Sequence, residues 1–509
     1  MASAVVALVV VLLTWLLTAA MHKLAWRPYG VQKAFRLQGI RGPAFRLWVG
    51  NKEEVRAMRE ASSNDVLDLG SHDIVRRVQP ELQAWTAKYG KVFLWWSGHT
   101  PVLCVADHDM AKQILSDKKG VYDQDSPGSS FLALVGNGLV FVNGDDWARH
   151  RRVVHLALAM GRLKMMAGTM AECAREVVGS WEAGATAARG GVARVENAEQ
   201  HFRELSAQVI SRTTFGKDGK EFVMAQLQLQ HMALASFNDF HLPLGLDEYL
   251  PTQTNIQRWR LTKKVRRTLT GIIRDRGAGG SYGDDLLGLM LHANASAGAG
   301  KLSMEEIMDE CKTLLLAGRD STSHLLTWAV FLLGTHPEWQ HKLRDEVLRE
   351  CGASGTPHGD ALNKLKLTTM LLHETLRLYG AATLLTRTAT ADTELCGVKI
   401  PKGTTMMIPI AMMHRDEQVW GADAGEFNPE RFRDGVGRAA SHTTAMLAFS
   451  AGPRSCIGQD FAMLVAKATL ALLLRRFHFT VAPEYVHAPD QFLTLQPKCG
   501  LPILLNLIS

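Results

Sequence analysis

The sequence predicts a mainly α fold with small β sheets, carried behind a single N-terminal transmembrane helix, and three stretches support that expectation. Met1 to Met21 holds no charged residue and is almost continuously aliphatic from Val5 to Leu17. Ser303 to Gly334 is the longest plausible helix, opened by the capping box Ser303-Met304-Glu305-Glu306 and stopped by His336-Pro337. The β-rich runs Val92 to Trp96, Val102 to Val105 and Thr404 to Ile408 are short and lie beside Gly- and Pro-containing turns, which suits small sheets.

Taken in order, the apolar N-terminus comes first. About 20 helical residues rise roughly 30 Å, enough for one bilayer crossing. Lys23, Arg27, Lys33, Arg36, Arg41 and Arg46 follow with no acid before Glu53. That positive flank is expected on the cytosolic side; in a cleaved secretory signal the charge would precede the apolar run. Residues 1–22 are therefore expected to form the anchor and 23–50 a basic Pro/Gly hinge, with helix breaks at Trp26-Arg27-Pro28 and Gly39-Ile40-Arg41-Gly42-Pro43.

Residues 51–509 are expected to form one domain. The chain has 509 residues, 47% of them hydrophobic, so it can bury a sizeable core, and with 21% charged residues it resembles no fibrous or disordered protein. Ser97 to Pro101 turns a short hairpin, and a helix-rich stretch runs from Met110 to Ile273. Loops are expected at Gly277 to Gly280, Asn294 to Gly300 and Cys351 to Gly359, small strands at Thr393 to Ile400, and an irregular end from Tyr485 to Leu507. The seven cysteines are odd in number and scattered, which argues against a disulfide framework. The net charge of +7 lies partly beside the anchor, and no basic stripe or recognition module points to nucleic acid.

Two segments carry chemistry. In Phe449-Ser450-Ala451-Gly452-Pro453-Arg454-Ser455-Cys456-Ile457-Gly458, two glycines and a proline constrain a tight loop around one cysteine, with Arg454 as a nearby cation. A cysteine thiolate is one of the ligands that hold haem iron, and small residues beside it leave room for a flat cofactor. The second segment is the middle of the long helix, Ala317-Gly318-Arg319-Asp320-Ser321-Thr322-Ser323, where small and hydroxyl side chains stand in place of Leu-rich packing. Asp320 with a neighbouring hydroxyl can organise protons or water. Elsewhere, Glu374-Thr375-Leu376-Arg377 sets an acid and a base three residues apart on one helix face, among leucines.

The decamer ending at Gly458 matches the haem-binding signature of the cytochrome P450 monooxygenases. Trp147-Ala148-Arg149-His150-Arg151, the Glu374–Arg377 pair and Pro429-Glu430-Arg431-Phe432 resemble that family's further motifs in the right order. The chain looks most like the plant microsomal clan containing fatty-acid and hormone hydroxylases. The resemblance implies the cytochrome P450 fold for the haem-thiolate monooxygenase domain 51–509, and haem b (iron protoporphyrin IX) with Cys456 as the axial metal ligand. It assigns Trp147, Arg151, Arg387 and Arg454 to the propionates, and adds Phe449, Gly452 and Gly458 to the cofactor-binding set. Asp320 and Ser321 become the catalytic pair, with Ser321 standing where threonine is usual. Glu374, Arg377 and Arg431 become a structural triad.

The same resemblance implies O2 as co-substrate, a hydrophobic small-molecule substrate, and electrons from NADPH through a separate cytochrome P450 reductase. It places the protein in the endoplasmic reticulum membrane, single-pass, with its catalytic domain facing the cytosol. Arg149, Arg152, Lys364, Lys366, Arg438 and Lys467 are candidates for the reductase-docking face. Subterminal hydroxylation of a fatty acid is the expected reaction; the alternatives are hydroxylation of a plant hormone (cytokinin, gibberellin or brassinosteroid) and a nonenzymatic membrane haem-binding role. Phe237 to Leu250, with Phe240, His241, Leu244, Leu246 and Tyr249, is the expected access segment. Leu156 and Gly380 depart from the family's usual prolines.

Overall fold

Twenty residues at 1.5 Å each make helix α1 (Ala2–Met21) about 30 Å long, and the Val and Leu side chains described there, such as Val5, Leu8, Val11 and Leu17, are exposed. This apolar helix is long enough to cross a membrane. The computed structural model describes residues 2–125, 131–132, 135–188, 191–216, 219–235, 250–278 and 282–508. Contrary to the expected break at Trp26-Arg27-Pro28, the chain stays helical after α1: a π turn (His22–Trp26) leads into α2 (Arg27–Leu37). Pro28 sits in the first turn of α2, where a missing N–H is tolerated. The break falls instead at Gly39, whose φ of +81° suits glycine. Val31 and Phe35 of α2 pack into the cluster formed by the main sheet, and the Arg27 guanidinium donates to the Lys402 carbonyl at 3.0 Å.

That sheet starts with the hairpin of β1 (Val92–Ser97) and β2 (Thr100–Val105), in which Trp96 faces Pro101 and Gly98 turns with φ +64°. The other strands are β3 (Tyr122–Asp123), β4 (Val192–Val195), β5 (Leu385–Ala389), β6 (Thr393–Leu395), β7 (Val398–Ile400), β8 (Thr405–Ile408), β9 (Phe477–Val481), β10 (Pro489–Gln491), β11 (Leu495–Pro497) and β12 (Ile503–Leu507). The order β1-β2-β8-β5-β3 makes a five-stranded sheet, β4-β12-β9 a three-stranded one, and β6-β7 and β10-β11 are pairs. The run Thr393 to Ile400 splits into two strands because Cys396 and Gly397 turn with φ of +45° and +83°.

The helices that position the site are α3 (Gly144–Ala157), α4 (Met160–Ala187), α5 (Ala198–Phe215), α6 (Leu286–Ala295), α7 (Met304–Thr335), α8 (Lys366–Tyr379) and α9 (Gln459–Arg476). The capping box of α7 forms as expected, with Ser303 Oγ accepting from Glu306 N at 3.2 Å and Glu306 Oε2 accepting from Ser303 N at 2.7 Å. Its 32 residues make a rod of about 48 Å. From Thr322 to Leu333 every residue is buried, so this half of α7 is core on all sides. Gly318 owes its size to the neighbouring helix, since a Cβ there would stand 2.7 Å from Ile210 Cδ1 of α5. Trp328 stacks on Tyr379 with ring centres 4.4 Å apart, tying α7 to α8.

On α8, the guanidinium of Arg377 grips both oxygens of Glu374 at 2.7 and 2.8 Å and donates to the carbonyls of His414, Ala424 and Glu426. Both side chains are inaccessible to solvent. Arg431 approaches Glu374 only to 3.8 Å; its close partner is Asp423, at 2.8 Å. Glu374 takes its remaining hydrogen bond from Asn428 N at 2.8 Å. His414 extends this network: Nδ1 donates to the Arg377 carbonyl at 2.9 Å, and Nε2 accepts from Leu447 N at 2.9 Å. Burial, despite that backbone bond, pushes His414 down to a pKa of about 3, which keeps it neutral in that double role.

Candidate functional site

Two backbone features shape the loop that delivers Cys456. Gly452 has φ +72°, and a Cβ there would stand 2.1 Å from the carbonyl oxygen of Leu115, at the end of the helix His108–Leu115, so no other residue fits against that backbone. Ser450 also adopts positive φ, at +60°, which the surrounding contacts must hold. The Cys456 amide donates to the Phe449 carbonyl at 2.8 Å and closes the loop just before α9 begins. The Cys456 side chain is exposed, opening onto a cavity enclosed by protein on its other sides. Burial pushes its pKa up, while the Gly458 amide, the Arg151 cation and the Gln459 amide at the start of α9 act in the opposite direction.

The cavity is walled by α3, α5 and α7, by β5 and by the cysteine loop. Arg151, Arg387 and Arg454 all line it, and among the described residues none has a carboxylate within 4.0 Å. They bond to neutral oxygens instead. Arg151 donates to the Ser455 carbonyl at 2.8 Å, Arg387 to Gln124 Oε1 at 2.5 Å, and Arg454 to the Val142 carbonyl at 2.9 Å and Asn143 Oδ1 at 2.7 Å. Arg454 also lies 5.0 Å over the Trp147 ring, which fixes its direction. Burial, and then repulsion from Arg454, lowers Arg387 to a pKa of about 10. Three cations with no carboxylate in ion-pair reach among the described residues call for an anionic ligand.

Gly458 supplies a second test of what fits. Its φ is an ordinary −91°, and a Cβ would meet only the Cys456 sulfur, at 4.0 Å. Nothing in the polypeptide requires glycine there, but a Cβ would project beside the thiol where a flat ligand has to lie. A planar tetrapyrrole with two propionates, seated on a sulfur ligand, matches the cations, the bare glycine and the thiol together. Cys456 could hold the iron, with Trp147, Arg151, Arg387 and Arg454 around the propionates and Phe449 in the adjoining wall.

On α7, Ala317, Gly318 and Ser321 line the cavity. Ser321 Oγ donates to the Ala317 carbonyl at 2.6 Å, whereas the neighbouring Thr322 hydroxyl is buried with no partner. Asp320 is not among the lining residues: it pairs with Arg319 at 2.9 Å and lies 3.6 Å from Arg203 of α5. Gly452 also stands outside the cavity and acts through loop shape alone.

Sequence reasoning missed Glu310. It is the only acid among the described lining residues, one turn of α7 after Glu306 and two turns before Ala317, and that shared helical face was the available signal. The expected access segment, Phe237 to Leu250, lies outside the described residues except for Leu250. Two of the expected docking cations are not free for that task. Arg149 is engaged by Asp146 and Glu306, and Lys467 is buried, which lowers its pKa.

Comparison with known proteins places these features in a family. The Cytochrome P450 family model matches residues 77–501. "Cytochrome P450 709B1" of Arabidopsis thaliana is 40% identical, over 95% of this chain and 94% of its own length. "Cytochrome P450 734A6" of Oryza sativa subsp. japonica is 39% identical, over 96% of this chain and 94% of its own. "Cytokinin hydroxylase" of Arabidopsis thaliana is 38% identical, over 94% of this chain and 93% of its own.

Proposed function

The chain belongs to the cytochrome P450 family, and from that premise we propose that it hydroxylates a plant hormone, with a cytokinin as the first candidate and gibberellins or brassinosteroids next. Membership itself makes it a haem-thiolate monooxygenase that inserts one atom of O2 into a small hydrophobic molecule, with haem b held by a cysteine thiolate. It implies a reductase, O2 and a hydrophobic substrate as partners, and the apolar N-terminal helix is consistent with a membrane anchor. The observation carrying the hormone reading is the likeness to the cytokinin hydroxylase, which extends over nearly the whole of both chains.

The fatty-acid reaction expected from sequence is supported less well. A fatty acid brings a carboxylate into the cavity, where Arg151, Arg387 and Arg454 are suited to the propionates and the acid among the described lining residues is Glu310. A neutral cytokinin or brassinosteroid meets no such conflict, whereas a gibberellin, itself a carboxylic acid, shares it.

Within this reading Cys456 would hold the haem iron, and bound haem would supply the oxidising chemistry. Arg151, Arg387 and Arg454 orient the cofactor through its propionates, with Trp147 bracing Arg454. Phe449 and Gly458 shape the surface beside the thiolate. Ser321 holds a hydroxyl at the cavity, and Asp320 acts on it from behind once it exchanges Arg319 or Arg203 for water. Glu374, Arg377 and Arg431 support the fold. Residues 1–22 anchor the protein in the endoplasmic reticulum membrane and the catalytic domain faces the cytosol, where NADPH electrons arrive through the separate reductase.

The test is turnover with reductase, NADPH and labelled dioxygen on a panel of cytokinins, gibberellins, brassinosteroids and fatty acids, read by mass spectrometry. One labelled oxygen in a hormone is the expected product. Labelled subterminal hydroxy acids with no hormone product would overturn the proposal in favour of lipid oxidation.

A further inference from the structure

We propose that Glu306, His150 and Glu310 form a proton entry route into the haem cavity, separate from Asp320 and Ser321. The three side chains make a continuous chain between α3 and α7. Glu306 is the outer end, with 28% of its side chain exposed and its Oε1 held by Arg149 at 2.7 Å. The same oxygen lies 3.4 Å from His150 Nε2, and the imidazole's other nitrogen, Nδ1, is hydrogen-bonded to Glu310 Oε1. His150 and Glu310 are each 1% exposed. Glu310 Oε1 also accepts from Leu139 N at 2.7 Å, while Oε2 is buried without a partner, on a residue that lines the cavity.

The surroundings suit transfer in one direction. The charged groups facing His150 are Glu306 and Glu310 of α7, with Arg149 and Asp146 behind Glu306; Leu139 contributes only its amide. An imidazole bonded through both nitrogens takes a proton on one and releases one from the other. A proton from solvent passes by way of Glu306 Oε1 to His150 Nε2, and the Nδ1 proton passes to Glu310. Rotation of that carboxyl presents the proton to water in the cavity, and the imidazole returns to its starting tautomer. Each hop moves one proton and no electrons. The overall insertion consumes two protons and two electrons per O2, the electrons coming from the reductase and the second oxygen leaving as water. Glu310 lies two helical turns, about 10 Å, from Ala317, so cavity water completes the path. Asp320, by contrast, faces away from the cavity into Arg203 and Arg319.

The route is independent of which hormone or lipid is oxidised, so any substrate that the enzyme turns over serves as the probe. Glu310→Gln keeps an acceptor for Leu139 N but cannot carry the proton, and Glu306→Gln keeps the helix cap while removing the outer carboxylate. For each, product formed per NADPH should fall on the order of tenfold, below the roughly 10²–10⁴ of a sole acid–base group because Asp320 still operates. The solvent deuterium isotope effect on product formation should rise. A carboxylic C=O band in the infrared difference spectrum on photolysis of bound CO should vanish in Glu310→Gln alone. Wild-type coupling and isotope effect in Glu306→Gln would refute the route, even if Glu310→Gln were impaired, since that pattern means Glu310 only latches the Leu139 loop. If Glu310→Gln fails to give the thiolate-haem CO spectrum, Glu306→Gln, which leaves the latch intact, decides alone.

Discussion

Arg377 offers the sharpest test of what holds the site in place. Its guanidinium makes two bonds to Glu374 and three to the carbonyls of His414, Ala424 and Glu426, and the Arg377 and Glu374 side chains are themselves out of reach of solvent. Removing one member of a buried ion pair costs about 3–5 kcal/mol, because the charge left behind has no water to replace its partner. Glu374→Gln should lie near the low end, about 3 kcal/mol, since the three carbonyls still partly compensate Arg377. Arg377→Met should reach the high end, about 5 kcal/mol, because it strands Glu374 and leaves the three carbonyls unpaired. That is a third or more of the roughly 5–15 kcal/mol available to a folded domain. The assay is urea unfolding at saturating haem, followed by circular dichroism, because haem release would otherwise shift the midpoint. The two losses should also be less than additive in the double variant, as expected for residues in contact. A cost below about 1 kcal/mol for either single change, or full additivity, would refute the account.

Other outcomes follow from the cavity. Gly458→Leu should fold, because its Cβ meets no protein atom closer than the Cys456 sulfur at 4.0 Å, yet purify with a much lower haem-to-protein ratio; full haem loading would count against the fit of a flat ligand there. Arg387→Met should make haem-free protein no less stable to heat, since it removes a buried cation that Arg454 repels, while speeding transfer of haem to apomyoglobin. The third outcome concerns pH. Burial works against a charge on His150, but its bonds to Glu310 and Glu306 outweigh that and raise its pKa above the ordinary 6.5. A raised folded pKa contributes stability that is fully present below about pH 6.5 and is lost as pH climbs through the folded value. The stability gap between wild type and His150→Gln, measured by urea unfolding, should therefore narrow as pH rises from 6; a gap that widens instead would show the imidazole to be held neutral.

Much of this was legible in the residues themselves, wherever the deciding interactions are local. The cap of α7 depends on Ser303 and Glu306, three positions apart, and it forms as read. Within the cysteine loop Gly452 marks a turn that needs positive φ, as Gly98 does between the first two strands. The apolar run at the N-terminus specifies a helix by composition alone. Where the reading failed locally, at Pro28, position within the helix mattered more than residue type: proline in a first turn starts a helix as readily as it ends one.

The partners of buried charge were decided only by tertiary structure. His150 and Glu310 are 160 positions apart, and Arg377 finds His414 and Ala424 at separations of 37 and 47. No pattern of nearby residues encodes such meetings, because they depend on how α7 packs against α3 and how α8 packs against the segment from His414 to Glu426. In the packed arrangement Gly318 lies against Ile210 of α5, Asp320 is outside the cavity lining and Glu310 is in its wall. The sequence by itself determined the chemistry that Cys456 and its loop can support. The fold decided which acids and cations surround it, because burial makes an unpaired charge costly and only the assembled core can pair it.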